Sequence, residues 1–225
     1  MDQISKNRSQ NSTTMNQFNV FSSTTIFLFL IVVSSKITTA VETNLVRDIN
    51  GHPLKPNYSY HILPVIRGRG GGLTLTPKNK TESCPLFVAQ ENHEVSNGLT
   101  LKFYPVNPKD KKVSLSFDLN IVFDAATICV QSTVWKLTID EVSGRAYVGT
   151  GGMIGNPAGL ESVDNWFKIE KAGKGKDYYK IVFCPSVCKF CKVMCGDIGV
   201  FVEDDGRRLL GFRNEQPLLV MFKKA

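Results

Sequence analysis

The sequence predicts an all-β fold, either a barrel or a sandwich. Short apolar or alternating segments of about four to eight residues recur along the chain, with turn-forming residues between them. No stretch carries an apolar stripe of helical period over three turns. The segments 135–139 and 166–170 both begin with tryptophan and hint at an internal repeat. The predicted strands are 58–66, 73–76, 86–89, 99–104, 113–117, 135–139, 166–169, 178–183, 198–202 and 218–222.

The N-terminus has the pattern of a secretory signal peptide. An extended polar lead precedes an apolar core at 26–33, and small residues at 38–40 provide a cleavage site. The apolar core is too short for a membrane span, which needs about 20 residues. We therefore expect residues 1–40 to be removed and residues 41–225 to form one secreted domain. Its expected location is extracellular (the apoplast) or vacuolar, with no membrane partner.

The charge pattern argues against a nucleic-acid partner. The chain has a formal net charge of +7 at pH 7, but its basic residues are dispersed, with short runs at 109–112, 207–208 and 223–224. A nucleic-acid interface needs a clustered basic face with aromatic residues interleaved. Dispersed lysines are typical of a solvated surface, so we expect no nucleic acid to bind.

The cysteines predict a disulfide framework. Six cysteines in an exported chain favour complete pairing, although six allow fifteen connectivities. Cys188 and Cys191 are close enough to pair with each other inside a bridge between Cys184 and Cys195. The predicted disulfides are Cys84–Cys129, Cys184–Cys195 and Cys188–Cys191.

Two alternatives remain for the cysteine cluster at 184–195. Four thiolates at this spacing are chemically able to bind zinc, and a Cys-x-x-Cys pair is able to serve redox chemistry. Oxidising compartments disfavour free thiolates, and a redox pair needs a strand–helix setting, whereas the flanking residues predict a strand or hairpin. We therefore expect disulfides and no metal.

Nothing in the sequence predicts an enzyme or a cofactor. The glycine run at 68–72 precedes an alternating segment, which is typical of a turn before a strand and not of a phosphate-binding loop. His52, His61 and His93 have no metal-ligand spacing. Ser186 lies in no Gly-x-Ser-x-Gly motif.

An ordered set of motifs resembles a known family. The segment 46–54, Val-Arg-Asp-Ile-Asn-Gly-His-Pro-Leu, and the following Tyr60-His61-Ile62 resemble the N-terminal signature of plant Kunitz-type (soybean trypsin inhibitor) protease inhibitors. Cys188 and Cys191, with Val-Asn-Pro at 106–108, resemble its miraculin-like branch. The further matching motifs are at 70–73, 84–86, 165–167, 183–185, 195–199 and 217–222.

The resemblance covers nearly all of residues 41–225 and implies a fold. Members of the family are β-trefoils: twelve strands with three-fold pseudo-symmetry, in which hairpins close a six-stranded barrel. With the cysteines above, the expectation is a β-trefoil with three disulfides.

The resemblance also implies a function and a site. Family inhibitors present a substrate-like loop between the fourth and fifth strands to a serine-type endopeptidase. In this chain the loop is Pro105, Val106, Asn107, Pro108 and Lys109, with Asn107 at the primary specificity position. The family's loop-supporting asparagine aligns with position 56, which is a proline here, next to an asparagine.

This loop departs from the trypsin-directed pattern, and three interpretations stay open. Asn107 lacks the positive charge that the carboxylate in a trypsin-type pocket binds, and Pro108 has no N–H and a fixed φ. In the first interpretation Asn107 is the specificity residue of a weak inhibitor or of an inhibitor of another protease. In the second, Lys109, Lys111 or Lys112 takes that role after local rearrangement. In the third, the loop is an inert surface hairpin.

The predicted biological role follows from these points. We expect a monomeric defence or stress protein whose partner is one endopeptidase. The alternative is a non-inhibitory, miraculin-like extracellular recognition protein on the same scaffold. Asn57 and Asn79 begin Asn-x-Ser/Thr sequences and are the predicted glycosylation sites.

Overall fold

Short antiparallel strands account for nearly all of the regular structure. The computed structural model describes residues 44–78, 81, 83–155, 161–173 and 177–225, so the predicted signal peptide and Asn79 lie outside the described residues. Within these ranges lie twelve strands and one 3-10 helix, at Val163–Asn165. The strands are β1 (Tyr60–Pro64), β2 (Leu73–Pro77), β3 (Leu86–Gln90), β4 (Leu101–Pro105), β5 (Leu119–Phe123), β6 (Lys136–Ile139), β7 (Ala146–Gly149), β8 (Lys168–Lys171), β9 (Tyr179–Phe183), β10 (Gly196–Val202), β11 (Arg208–Phe212) and β12 (Val220–Lys224).

Six of these strands form a closed barrel. β1 pairs with β12 and β4, β4 pairs with β5, and β9 pairs with β8 and β12. A bridge between Leu119 and Phe167 joins β5 to the residue before β8 and completes the ring. Closure satisfies the backbone groups that an open sheet would leave unpaired at its edges.

The other six strands form three hairpins that meet at one end of the barrel. β2 pairs with β3, β6 with β7, and β10 with β11. Each hairpin contacts the other two through the pairs Phe87↔Gly149, Tyr147↔Gly211 and Ala89↔Leu209. Strands β1–β4, β5–β8 and β9–β12 therefore form three similar units, and the predicted β-trefoil is confirmed.

The strand predictions were wrong in three places. Segment 113–117 is not a strand of the sheet, because the Val113 backbone is bonded to Leu54 and Val46 of the N-terminal segment, and β5 begins only at Leu119. Besides β5, the prediction omitted β7 and β11. β7 ends at Gly149 and β11 contains Gly211, and these glycines obscure the strand pattern. Gly211 is nevertheless required, since a Cβ there would lie 2.5 Å from the Ala146 carbonyl oxygen.

The tryptophan repeat was also misread. The two tryptophan segments lead into β6 and β8, which occupy different positions within the same three-fold unit. Both side chains are buried, and Trp135 packs edge-on against Phe167 with ring centroids 5.6 Å apart. Edge-to-face contacts of this kind favour a well-defined core. The two tryptophans are therefore similar because both pack in the core, and not because their segments occupy equivalent positions in the three-fold repeat.

The barrel core is aromatic at related positions of the three units. Phe103 in β4, Phe167 before β8 and Phe222 in β12 have no exposed surface. Phe103 and Phe222 meet edge-to-face with centroids 5.5 Å apart.

No helix within the described ranges is long and apolar enough to cross a membrane.

A charged turn between β6 and β7 gives a prediction about pH. The Asp140 carboxylate accepts hydrogen bonds from Lys78 and from the backbone and hydroxyl of Ser143. The hydrogen bond from Lys78 is the main reason why the pKa of Asp140 falls from 3.8 to about 2. A lowered carboxyl pKa stabilises the fold above pH 3.8, and that stabilisation disappears as the pH falls through about 2.

The variant Asp140→Asn is therefore expected to lose about 1 kcal/mol of unfolding free energy at pH 7, since solvent screens this pair. The difference from the unaltered protein should shrink between pH 4 and pH 2, as measured by urea denaturation across that range. Glu141→Gln removes the adjacent exposed carboxylate and should change little. A difference that persists unchanged at pH 2 would contradict the assignment.

Candidate functional site

The β4–β5 hairpin carries the predicted loop as an exposed tip. β4 ends at Pro105, which faces Leu119 at the start of β5. The Val106 amide donates to the Asp118 carbonyl oxygen at 2.9 Å and closes the base of the tip. Beyond this bond the side chains of Val106, Asn107, Pro108 and Lys109 are exposed. The loop therefore projects from a barrel strand that is itself firmly paired.

Asn107 organises the tip through its own side chain. The Asp110 amide donates to the Asn107 carbonyl oxygen at 3.1 Å, which defines a turn over 107–110. The Asn107 side chain accepts from the Lys109 amide at 3.2 Å and donates to the Asp110 carboxylate at 2.6 Å. Asparagine first and proline second are favoured residues in such a turn. Asn107 is exposed, but its amide would exchange these bonds for new ones on entering another protein's pocket.

The descending arm of the loop is fixed by the N-terminal segment. The Val113 amide donates to the Leu54 carbonyl oxygen at 2.9 Å, and the Val46 amide donates to the Val113 carbonyl oxygen at 3.0 Å. All three side chains are fully buried. Buried apolar contacts and backbone bonds on both arms therefore limit how far the tip can move.

Tyr179 of β9 ties this N-terminal segment to the barrel. Its hydroxyl accepts a hydrogen bond from the Arg47 amide at 2.8 Å and donates to the Asp177 carboxylate at 3.3 Å. Burial is the main cause that raises the pKa of Tyr179 to about 12. The phenol therefore stays protonated, and the support beneath the loop is unchanged over the ordinary pH range.

A groove of about 500 Å³ runs beside the loop. Tyr104, Pro105 and Pro108 line one side of it, with Pro56 and Asn57 nearby. The predicted supporting segment thus lies next to the loop, although no hydrogen bond among the described residues joins the Asn57 side chain to it. Asn57 has a positive φ of 66° and is exposed, which leaves its predicted glycosylation site accessible.

Asp118, which the sequence analysis missed, joins the loop to the cysteine cluster. Its backbone closes the tip at Val106, while its buried carboxylate accepts from the Ser186 amide at 3.2 Å and from the Ser186 hydroxyl. The Lys168 ammonium lies 3.8 Å from the same carboxylate. The only signal in the sequence is a single acid between Phe117 and the apolar residues of β5.

The cysteine cluster adjoining Ser186 holds two disulfides. The structure contains the pairs Cys84–Cys129, Cys184–Cys195 and Cys188–Cys191. All six cysteines are paired, so the disulfide interpretation and not the zinc alternative describes the cluster. The inner pair closes a turn that carries Phe190, whose side chain is 85% exposed.

Most of the sequence matches one protein family. The model of the Kunitz (legume-type) family, described as "Trypsin and protease inhibitor", matches residues 46–224. The chain belongs to this family. Its members are protease inhibitors and not enzymes, which agrees with the structural role of the Ser186 hydroxyl as a donor to Asp118.

Individual Kunitz relatives are similar over most of their length. Kunitz trypsin inhibitor 5 of Arabidopsis thaliana is 48% identical over 203 residues, which cover 89% of this chain and 96% of the relative. Miraculin of Synsepalum dulcificum is 45% identical over 187 residues, covering 81% and 84%. The solved structure of soybean trypsin inhibitor superposes with a TM-score of 0.66 at 30% identity, covering 81% of this chain and all of the other.

Proposed function

We propose that this Kunitz protein is a secreted inhibitor of a serine-type endopeptidase and binds it through residues 105–109. The observation that carries the proposal is the exposed tip, closed at its base by Val106 and Asp118 and braced inside by Asn107. A loop already held in one conformation loses little entropy on binding, which favours a tight complex of standard size.

The chemistry of the tip narrows the class of protease. In the proposed complex Asn107 enters the main specificity pocket, which has to accept a polar, uncharged side chain. A trypsin-type pocket holds a carboxylate and favours a basic residue, so trypsin is not the expected target. The nearby Lys109, Lys111 and Lys112 favour a protease with an acidic rim around its cleft.

A single substitution tests this assignment. Asn107→Gly removes the side chain that would fill the pocket and also its bonds to the turn, so inhibition is expected to weaken by at least about 30-fold. The measurement is an inhibition constant against a panel of trypsin, chymotrypsin, subtilisin and a papain-like protease. Asn50→Gly makes the same chemical change at another exposed turn and should leave inhibition unchanged.

The alternative is a non-inhibitory recognition protein on the same scaffold. The observation in its favour is that Asn107 is already bonded within its own turn, as expected of an inert surface hairpin. An absence of inhibition at micromolar protein across the whole panel, with folding intact, would favour this alternative. If the Asn107→Gly variant still inhibited strongly, we would assign the contact with the protease pocket to the neighbouring lysines.

A further inference from the structure

A second concave surface lies at the far end of β1 from the loop. Pro64, the last residue of β1, lines a cleft of about 570 Å³, whereas Asn57 before β1 lies beside the loop. A strand advances about 3.3 Å per residue, so β1 places roughly 13 Å of paired strand between the two regions. An occupant of the cleft would therefore leave the loop free.

The cleft combines apolar walls with positive charge. Ile66, Leu218 and Leu219 line it, and so do Arg69, Arg208 and Arg213. Among the described residues, none of these three guanidinium groups forms an ion pair with a carboxylate. The cleft thus carries cationic groups that no acidic side chain of the described chain neutralises.

Arg208 is held in place by neutral acceptors alone. Its Nε and Nη2 atoms donate to the Gln90 side-chain oxygen at 3.1 and 2.9 Å, and Nη2 also donates to the Arg69 carbonyl oxygen at 2.8 Å. Its Nη1 atom has no hydrogen-bond partner within the described part of the chain. Burial, followed by the charge of Arg69, lowers the pKa of Arg208, as expected for a cation without a counter-ion.

Two residues that contact Arg208, Gln90 and Gly70, are buried. Gln90 is 3% exposed, and its amide nitrogen has no partner among the described residues. Gly70 lies above the pair with a φ of +93°, and a Cβ there would be 3.0 Å from Arg208 Nε and 2.7 Å from the Glu91 carbonyl oxygen. The glycine-rich turn at 68–72 therefore allows Arg208 to lie beneath it on a buried glutamine.

We propose that this cleft binds a small organic anion with an apolar body. Its acidic group, a carboxylate, sulfonate or phosphate, pairs with Arg208 and Arg69. Its apolar part lies against Ile66 and the leucines that precede β12. Arg213 is fixed by a hydrogen bond from Nη1 to the Val200 carbonyl oxygen at 2.8 Å and adds positive charge at the edge. Charge-assisted guanidinium–anion pairs are strong and directional, which makes the site selective for charge.

Three probes separate the parts of this proposal. 1-Naphthalenesulfonate carries both an anionic group and an apolar body, 1-naphthalenemethanol is its neutral analogue, and inorganic sulfate lacks the body. Isothermal titration calorimetry on the disulfide-bonded protein should show one site for the sulfonate, with at least tenfold weaker binding of the other two. Amide shifts in NMR spectra should localise the sulfonate to the cleft residues.

Variants test the arginines directly. Arg69→Gln and Arg208→Gln should each weaken sulfonate binding by roughly tenfold, because each removes a charge-assisted contact. Arg67→Gln, on the same loop but outside the cleft, should have no effect. Arg69 is exposed, so its replacement tests the site even if Arg208→Gln fails to fold. Equal binding of the neutral analogue, unchanged binding by Arg69→Gln, or shifts outside the cleft would overturn the proposal.

Discussion

Removal of the Cys84–Cys129 disulfide is expected to lower the free energy of unfolding by about 4 kcal/mol. The two cysteines are 45 residues apart, the largest separation of the three bridges, so this bond restricts the unfolded chain most. It joins the segment before β3 to the connection between β5 and β6, and hence two of the three trefoil units. Such a loss is a large fraction of an ordinary domain's stability.

The measurement is urea denaturation of the double variant Cys84→Ala/Cys129→Ala, which leaves no unpaired thiol. Fluorescence of the buried Trp135 and Trp166 reports the transition. The matched control is Cys188→Ala/Cys191→Ala, whose cysteines are only three residues apart, and it should lose about 2 kcal/mol. If the inner pair proved at least as important as Cys84–Cys129, loop length would not be the source of the stability.

Local patterns in the sequence predicted much of the barrel and failed where a distant partner decides the structure. The alternation of β2 and the apolar run of β9 are visible without tertiary information. Segment 113–117 alternates as well, but the partners of Val113 lie about 60 residues away in the N-terminal segment, and the Ser116 amide donates to the Ile169 carbonyl oxygen in β8. Periodicity describes which face of a segment is apolar and does not identify the chain that pairs with it.

The two proposed binding surfaces show the same limit of local sequence patterns. The exposed loop was predicted from its motif and position, whereas the bonds of Asn107 to Lys109 and Asp110 appear only in the folded turn. The arginine cleft depends on Gln90 and Arg208, which are 118 residues apart in the sequence. A glutamine at the end of one strand and an arginine at the start of another carry no local signal of their contact.

The substitution Asp118→Ala is expected to lower the free energy of unfolding by about 3 kcal/mol. The carboxylate is buried and accepts hydrogen bonds from the Ser186 amide and hydroxyl, with the Lys168 ammonium 3.8 Å away. Alanine leaves the Ser186 amide and hydroxyl without their acceptor and removes the negative charge near Lys168, whose ammonium keeps its hydrogen bond to the Ser186 hydroxyl at 3.2 Å. Asp118→Asn keeps an acceptor but loses the charge, so about half of that effect is expected from it.

Hydrogen exchange distinguishes the role of the Asp118 side chain from that of its backbone carbonyl. Its side chain holds the cysteine cluster, but its backbone carbonyl holds the β4–β5 loop through the Val106 amide. In Asp118→Ala, protection of the Ser186 amide should fall sharply, and protection of the Val106 amide should fall only as far as global stability does. Because the loop keeps its backbone closure, the substitution should change the free energy of protease binding less than it changes the free energy of unfolding. If Val106 lost more protection than Ser186, the carboxylate would be supporting the loop itself, and the division of roles within this residue would be wrong.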